Sequence, residues 1–99
     1  MSGTGASRTI IAQSSRPVLA RHVKLRQDAV RGRWVILAPE RVFTPDAVAV
    51  AVLQLCDGSR SVGEIAGELA QTYNAPIERI LSDITELLQG LADKGVVAS

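Results

Sequence analysis

The side chains best suited to chemistry are few and scattered. His22 is the only histidine and Cys56 the only cysteine among 99 residues. One imidazole and one thiol cannot supply a four-ligand zinc site, and a single cysteine forms neither an internal disulfide nor a CxxC pair. Catalysis needs an acid, a base or a nucleophile that converge on one point. His22 stands among Arg21 and Lys24 with no such partner at a useful spacing, and reads as a structural or solvent-exposed residue. Cys56, before Asp57-Gly58, reads as a small buried hydrophobe. Asp83 and Glu86, three apart, read as the solvated face of a helix rather than an acid–base pair. Gly58, Gly63 and Gly67 lack both the Lys-Ser/Thr and the strand-to-helix context of a phosphate loop. Neither catalysis, nor a metal, nor a cofactor is expected. The chemistry that remains is binding.

The elements that would build a binding surface follow from the period of the apolar residues. Residues 1–16, rich in Ser, Gly and Thr, show no period and read as a flexible tail or linker remnant. A domain over 17–99 then opens at Pro17. Val18-Leu19 forms a first short strand. In His22-Val23-Lys24-Leu25-Arg26 the alternation predicts a half-buried strand. Asp28 to Gly32 has hairpin length, with Gly32 free to take positive φ. Trp34-Val35-Ile36-Leu37 is a β-branched and aromatic run, ended by Pro39. After residue 42 the period becomes 3.6. Thr44-Pro45-Asp46 predicts a helix start capped by the Thr44 hydroxyl, with Val48, Ala51, Val52 and Leu55 on one face. Asp57-Gly58 is placed to stop that helix. Ser61-Val62-Gly63-Glu64 fits a capping box before a helix that buries Val62, Ile65, Ala66, Leu69 and Tyr73. Pro76 opens the longest helix, striped by Ile77, Ile80, Leu81, Ile84, Leu87, Leu88 and Leu91 and closed by Lys94-Gly95. Strands followed by helices argue an α+β fold. The expected form is winged helix-turn-helix-like: a three-stranded antiparallel sheet, then three helices.

Composition narrows the partners. With 46% apolar and 21% charged residues the chain is an ordinary globular domain. No apolar run approaches a membrane span and no secretory signal opens it, so a soluble cytoplasmic protein without membrane contact is expected. The net charge of +1 hides a segregation: residues 17–41 carry six Arg or Lys against two acids, and residues 42–99 carry three against eight. A winged helix raises the alternative of DNA binding. The third helix, however, offers Glu78, Asp83 and Glu86 against Arg79 outside its stripe, a surface that repels phosphates. No nucleic acid is expected.

A peptide is the better guest. The last apolar strand, read as the sheet edge, presents unpaired amides and carbonyls along Trp34, Val35, Ile36 and Leu37. An extended chain adds there by main-chain hydrogen bonds while alternate side chains enter an apolar groove. The third helix is the second wall, with Ile80, Ile84 and Leu87 as lining. Arg31 and Arg33 favour an acidic peptide. Two alternatives stay open: a DNA-binding winged helix whose hairpin Arg residues touch phosphates, and pairing of the edge with a second copy of the chain.

Leu37-Ala38-Pro39-Glu40, Leu53-Gln54-Leu55-Cys56-Asp57-Gly58, Val62-Gly63-Glu64-Ile65 and Asp83-Ile84 with Leu87-Leu88 stand in an order that resembles the PqqD family. These are peptide chaperones of pyrroloquinoline quinone (PQQ) biosynthesis, and the likeness runs from about Pro17 to Val97. The resemblance implies a non-catalytic recognition element. It would bind the ribosomally made precursor peptide of PQQ and present it to a radical S-adenosylmethionine enzyme. Related elements take the leader as an added strand beside their third strand and against their third helix. On this chain that implies Arg33 to Leu37 and the face holding Ile77, Ile80, Leu81, Ile84 and Leu87. Some family members are fused to another enzyme of the pathway, and residues 1–16 suit a linker left from such a fusion.

Overall fold

The computed structural model describes residues 9–99. The first eight residues of the expected tail lie outside them. Three antiparallel strands form the main sheet in the order β2-β3-β4: β2 (Lys24–Asp28), β3 (Arg33–Ala38) and β4 (Arg41–Phe43). Asp28 shapes the first hairpin, its Oδ1 accepting from the amides of Val30 (3.2 Å) and Arg31 (3.3 Å). Gly32 completes the turn at φ +65°, a conformation open to glycine. The second hairpin turns on Pro39 and Glu40 alone, and Glu40 takes φ +61° to make it.

The fold class is as expected, but its strands are drawn differently. Val18-Leu19 (β1) is not part of the main sheet; it pairs with β5 (Val97–Ala98) at the far end of the chain. The third strand of the main sheet is Arg41–Phe43. Pro39 does not end the sheet, because a two-residue turn returns the chain along β3. His22 precedes β2 in a turn at φ +66° rather than lying in the strand.

Register fixes which side chains face inward. Leu25, Ile36 and Phe43 lie across from one another, on the face turned to the helices. Lys24, Leu37 and Val42 form the next row, on the opposite face because alternate residues point oppositely.

Three helices cover the sheet: α1 (Ala47–Gln54), α2 (Val62–Tyr73) and α3 (Ile77–Asp93). Asp46, not Thr44, caps α1, its Oδ1 accepting from the Ala49 amide at 2.8 Å. The buried face of α1 is Ala49, Val50, Val52 and Leu53, not the expected Val48, Ala51, Val52 and Leu55, and Val48 is exposed. The capping box of α2 forms as read, Ser61 Oγ accepting from the Glu64 amide and Glu64 Oε1 from the Ser61 amide. Those bonds hold the Glu64 carboxyl below the usual carboxylate range. Tyr73 is exposed rather than buried.

The core joins all layers: Ile36 from β3, Val52 and Leu53 from α1, Val62 and Ile65 from α2, Ile84 and Leu88 from α3. Residues 9–16, expected as loose tail, are fastened to it. Ile11 is a core residue, and Gln89 clamps its amide while donating to the Thr9 carbonyl, both at 2.8 Å. The Gly63 amide donates to the Gln13 carbonyl at 3.0 Å. A Cβ on Gly63 would stand 3.1 Å from Gln13 Cγ, so this glycine admits the neighbouring chain.

Cys56 is buried as expected. Desolvation first, and the Asp57 charge second, push its thiol up from 9.0 to about 12. The unfolded chain would ionise this thiol from pH 9, while the folded one keeps it protonated to about pH 12. The unfolded state binds fewer protons in that window, so stability declines as pH rises through it and is untouched below it. The urea midpoint of the parent should therefore fall more steeply between pH 8 and 11 than that of Cys56→Ala. Parallel declines would refute the thiol's part.

Candidate functional site

The sheet has two outer edges, and neither is β3. Residues 36–38 of β3 pair with β4 on one side, and residues 33–37 pair with β2 on the other. The expectation that Trp34 to Leu37 forms the free edge is corrected in part: the chain's own next strand pairs with Ile36 and Leu37, and only Trp34 and Val35 lie beyond it. The open edges are the outer sides of β2 and β4.

These two edges differ. Along β2 the outward residues Lys24 and Arg26 place cations beside the backbone, a common guard against strand pairing. The β4 edge instead runs beside α3. Arg41 Nη2 donates to the Lys94 carbonyl at 2.6 Å, and the Lys94 ammonium lies 6.0 Å from the centroid of the Phe43 ring. Seven residues make two helical turns, so Leu87 and Ile80 follow Lys94 along the same side of α3. Both are half-buried against the core, as is Phe43. Arg41 and Phe43 of β4 thus meet the end of α3 at Lys94. The backbone of β4 also has an open side. A two-residue hairpin closes with a hydrogen-bonded pair, here Ala38 and Arg41, so Val42 turns its own N–H and C=O to the open side. Val42 is 64% exposed.

The expected site residues divide. Ile36 and Ile84, 1% and 2% exposed, belong to the core and have no surface to offer. Val35 and Leu37 lie on the outer face of the sheet with Val42. Arg31 sits in the first hairpin, 3.8 Å from Asp28. Arg33 and Trp34 lie beyond the end of β4, where with Pro45, Ala47 and Val50 they line a depression of about 290 Å³. On α3, Ile77 is exposed and reaches the Gly67 side of α2, while Leu81 lines a hollow of about 570 Å³ with Glu78, Thr85 and Gln89. Ile80 and Leu87 are half-buried against the core on the side of α3 that leads to Lys94. Sequence reasoning missed Arg41, Val42, Phe43 and Lys94. The signal was present in Val42-Phe43, an apolar pair just past a Pro-Glu turn that could return a hairpin. Among the described residues no three His, Cys, Asp or Glu side chains gather as a metal site would require, and no helix is long and apolar enough to cross a membrane.

Residues 33–97 match the family model of coenzyme PQQ synthesis protein D. The chain belongs to the PqqD family. A PqqA binding protein of Bradyrhizobium diazoefficiens is 59% identical over 85 residues, covering 86% of this chain and 82% of that one. The bifunctional coenzyme PQQ synthesis protein C/D of Methylorubrum extorquens is 49% identical over 95% of this chain, which there spans 25% of the protein. The PqqD truncation of Methylobacterium extorquens PqqCD, solved in solution as a stand-alone recognition element for ribosomally synthesised, post-translationally modified peptides, superposes with a TM-score of 0.80 at 48% identity. That match covers 93% of this chain and 98% of the other. The PqqD crystal structure from Xanthomonas campestris gives a TM-score of 0.54 at 40% identity, over 85% and 93% of the two chains. The PqqD resemblance and the winged helix-turn-helix-like class both stand.

Proposed function

We propose that this PqqD-family chain is a non-catalytic peptide chaperone. It takes up the PQQ precursor peptide as an added strand on β4 and presents it to the radical S-adenosylmethionine enzyme of the pathway. Relatives named PqqA binding protein support the ligand. The single observation that carries the mode is the open β4 edge beside the half-buried face of α3. Strand pairing there gives affinity through main-chain bonds that any sequence can make, and in this reading a channel between β4 and α3, with Phe43, Ile80 and Leu87 as its lining, gives selectivity through alternate side chains. Leaving one strand position vacant lets the guest be held and released without opening the core. The fused relative supports a setting in which recognition element and enzyme act in one assembly.

Titration with synthetic PqqA peptide, followed by backbone amide shifts, tests the site. Shifts are expected at residues 41–43 and along the Ile80–Leu87 side of α3. Shifts confined to β2 or to residues 9–16 would overturn strand addition at β4. Sedimentation across a concentration series separates self-pairing, which would raise the mass without peptide.

A further inference from the structure

We propose that Arg41 and Lys94, held over the Phe43 ring, form a carboxylate-binding subsite at one end of the β4–α3 channel. The Arg41 guanidinium carbon lies 5.2 Å from the ring centroid and the Lys94 ammonium 6.0 Å from the same centroid. Both are within the reach of cation–π attraction, which draws each cation to the ring face. Arg41 is further fixed by its bond to the Lys94 carbonyl. Two cations thus share one neutral ring, and a main-chain oxygen ties the first to the residue that carries the second. Among the described residues neither has a carboxylate within 4.0 Å, whereas Arg31 and Arg60 are both ion-paired. A carboxylate docked beside the ring is attracted by both cations and can form a charge-assisted bond with each.

The subsite also gives the channel a direction. Asp83 lies eleven residues before Lys94, about three turns and roughly 16 Å back along the same side of α3. An acidic group on a guest strand is attracted to the Lys94 end and repelled from the Asp83 end. Charge therefore selects one register and one polarity where main-chain pairing alone is indifferent. The carboxylate is either an Asp or Glu side chain of the peptide or its C-terminal group.

This inference rests on strand addition at β4. Its test compares calorimetric affinities of synthetic PqqA peptide for the parent protein, Arg41→Gln and Lys94→Gln. Lys94→Gln keeps the carbonyl that Arg41 binds, so it removes charge without cutting the tie between strand and helix. A urea titration of each variant verifies the fold. Each variant should bind about three- to tenfold more weakly, and the loss should vanish with a peptide in which the docked acid is replaced by its amide. C-terminal amidation and single Glu→Gln or Asp→Asn peptides identify which carboxylate docks. Unchanged affinity in both variants, with shifts still at residues 41–43, overturns the subsite and leaves strand addition standing. A loss that persists for every amide peptide also overturns it. Failure of the parent to bind PqqA overturns both.

Discussion

Val42→Pro should weaken PqqA binding at least tenfold while leaving the fold intact. Proline removes the one amide proton that Val42 turns to the open edge, and its ring fills the space a guest carbonyl would enter. The lost bond is worth about 0.5–1.5 kcal/mol net, and a guest carbonyl left unpaired in the channel adds about 1–3 kcal/mol. Each 1.4 kcal/mol is about a factor of ten in affinity. The fold tolerates the change because edge strands accept proline where the N–H faces solvent. Val35→Pro offers the contrast. In the central strand Val35 alternates with Ile36 and directs its N–H to β2, opposite Arg26, so proline there should break the sheet itself. Calorimetry measures the first effect and urea unfolding the second. Val42→Pro binding as tightly as the parent would remove the β4 edge from the mechanism.

Leu88→Ala should lower stability by about 2–5 kcal/mol, a large share of the roughly 5–15 kcal/mol that holds such a domain folded. Leu88 is fully buried, and truncation leaves a void that α2 and α3 cannot close without shifting Ile65 and Ile84. Ile77→Ala, in the same helix stripe but 47% exposed, should cost about 1 kcal/mol or less. A lower urea midpoint at constant slope reports each loss. Equal losses would contradict the division of the stripe into a core half and a surface half.

Much of this protein was legible in its sequence because the relevant forces are local. The capping box of α2, the Asp28–Gly32 turn, the apolar stripe of α3 and the α+β order each follow from a few neighbouring residues and their period. The α1 cap was misplaced by two residues, since Thr44 and Asp46 are both competent caps and only the path of β4 selects between them. Pro39 suggests a stop because proline withholds its N–H, yet proline equally begins a tight turn. Whether the chain turns back depends on the partner that Val42 and Phe43 find in Ile36 and Leu37.

Pairing and edge are decided only in three dimensions. β1 has the same alternation as any short strand, and nothing near Val18 shows that its partner is Val97-Ala98 at the other end of the chain. Residues 9–16 look loose by composition, but Ile11 finds a place in the core and Gln89 a matching pair of backbone groups. The amino-acid sequence by itself determined the three helices, the first hairpin, the segregation of charge and the family. The tertiary structure decided which strand remains open and what stands beside it. A strand's periodicity records which faces are buried, whereas its free edge is a property of the neighbours it lacks.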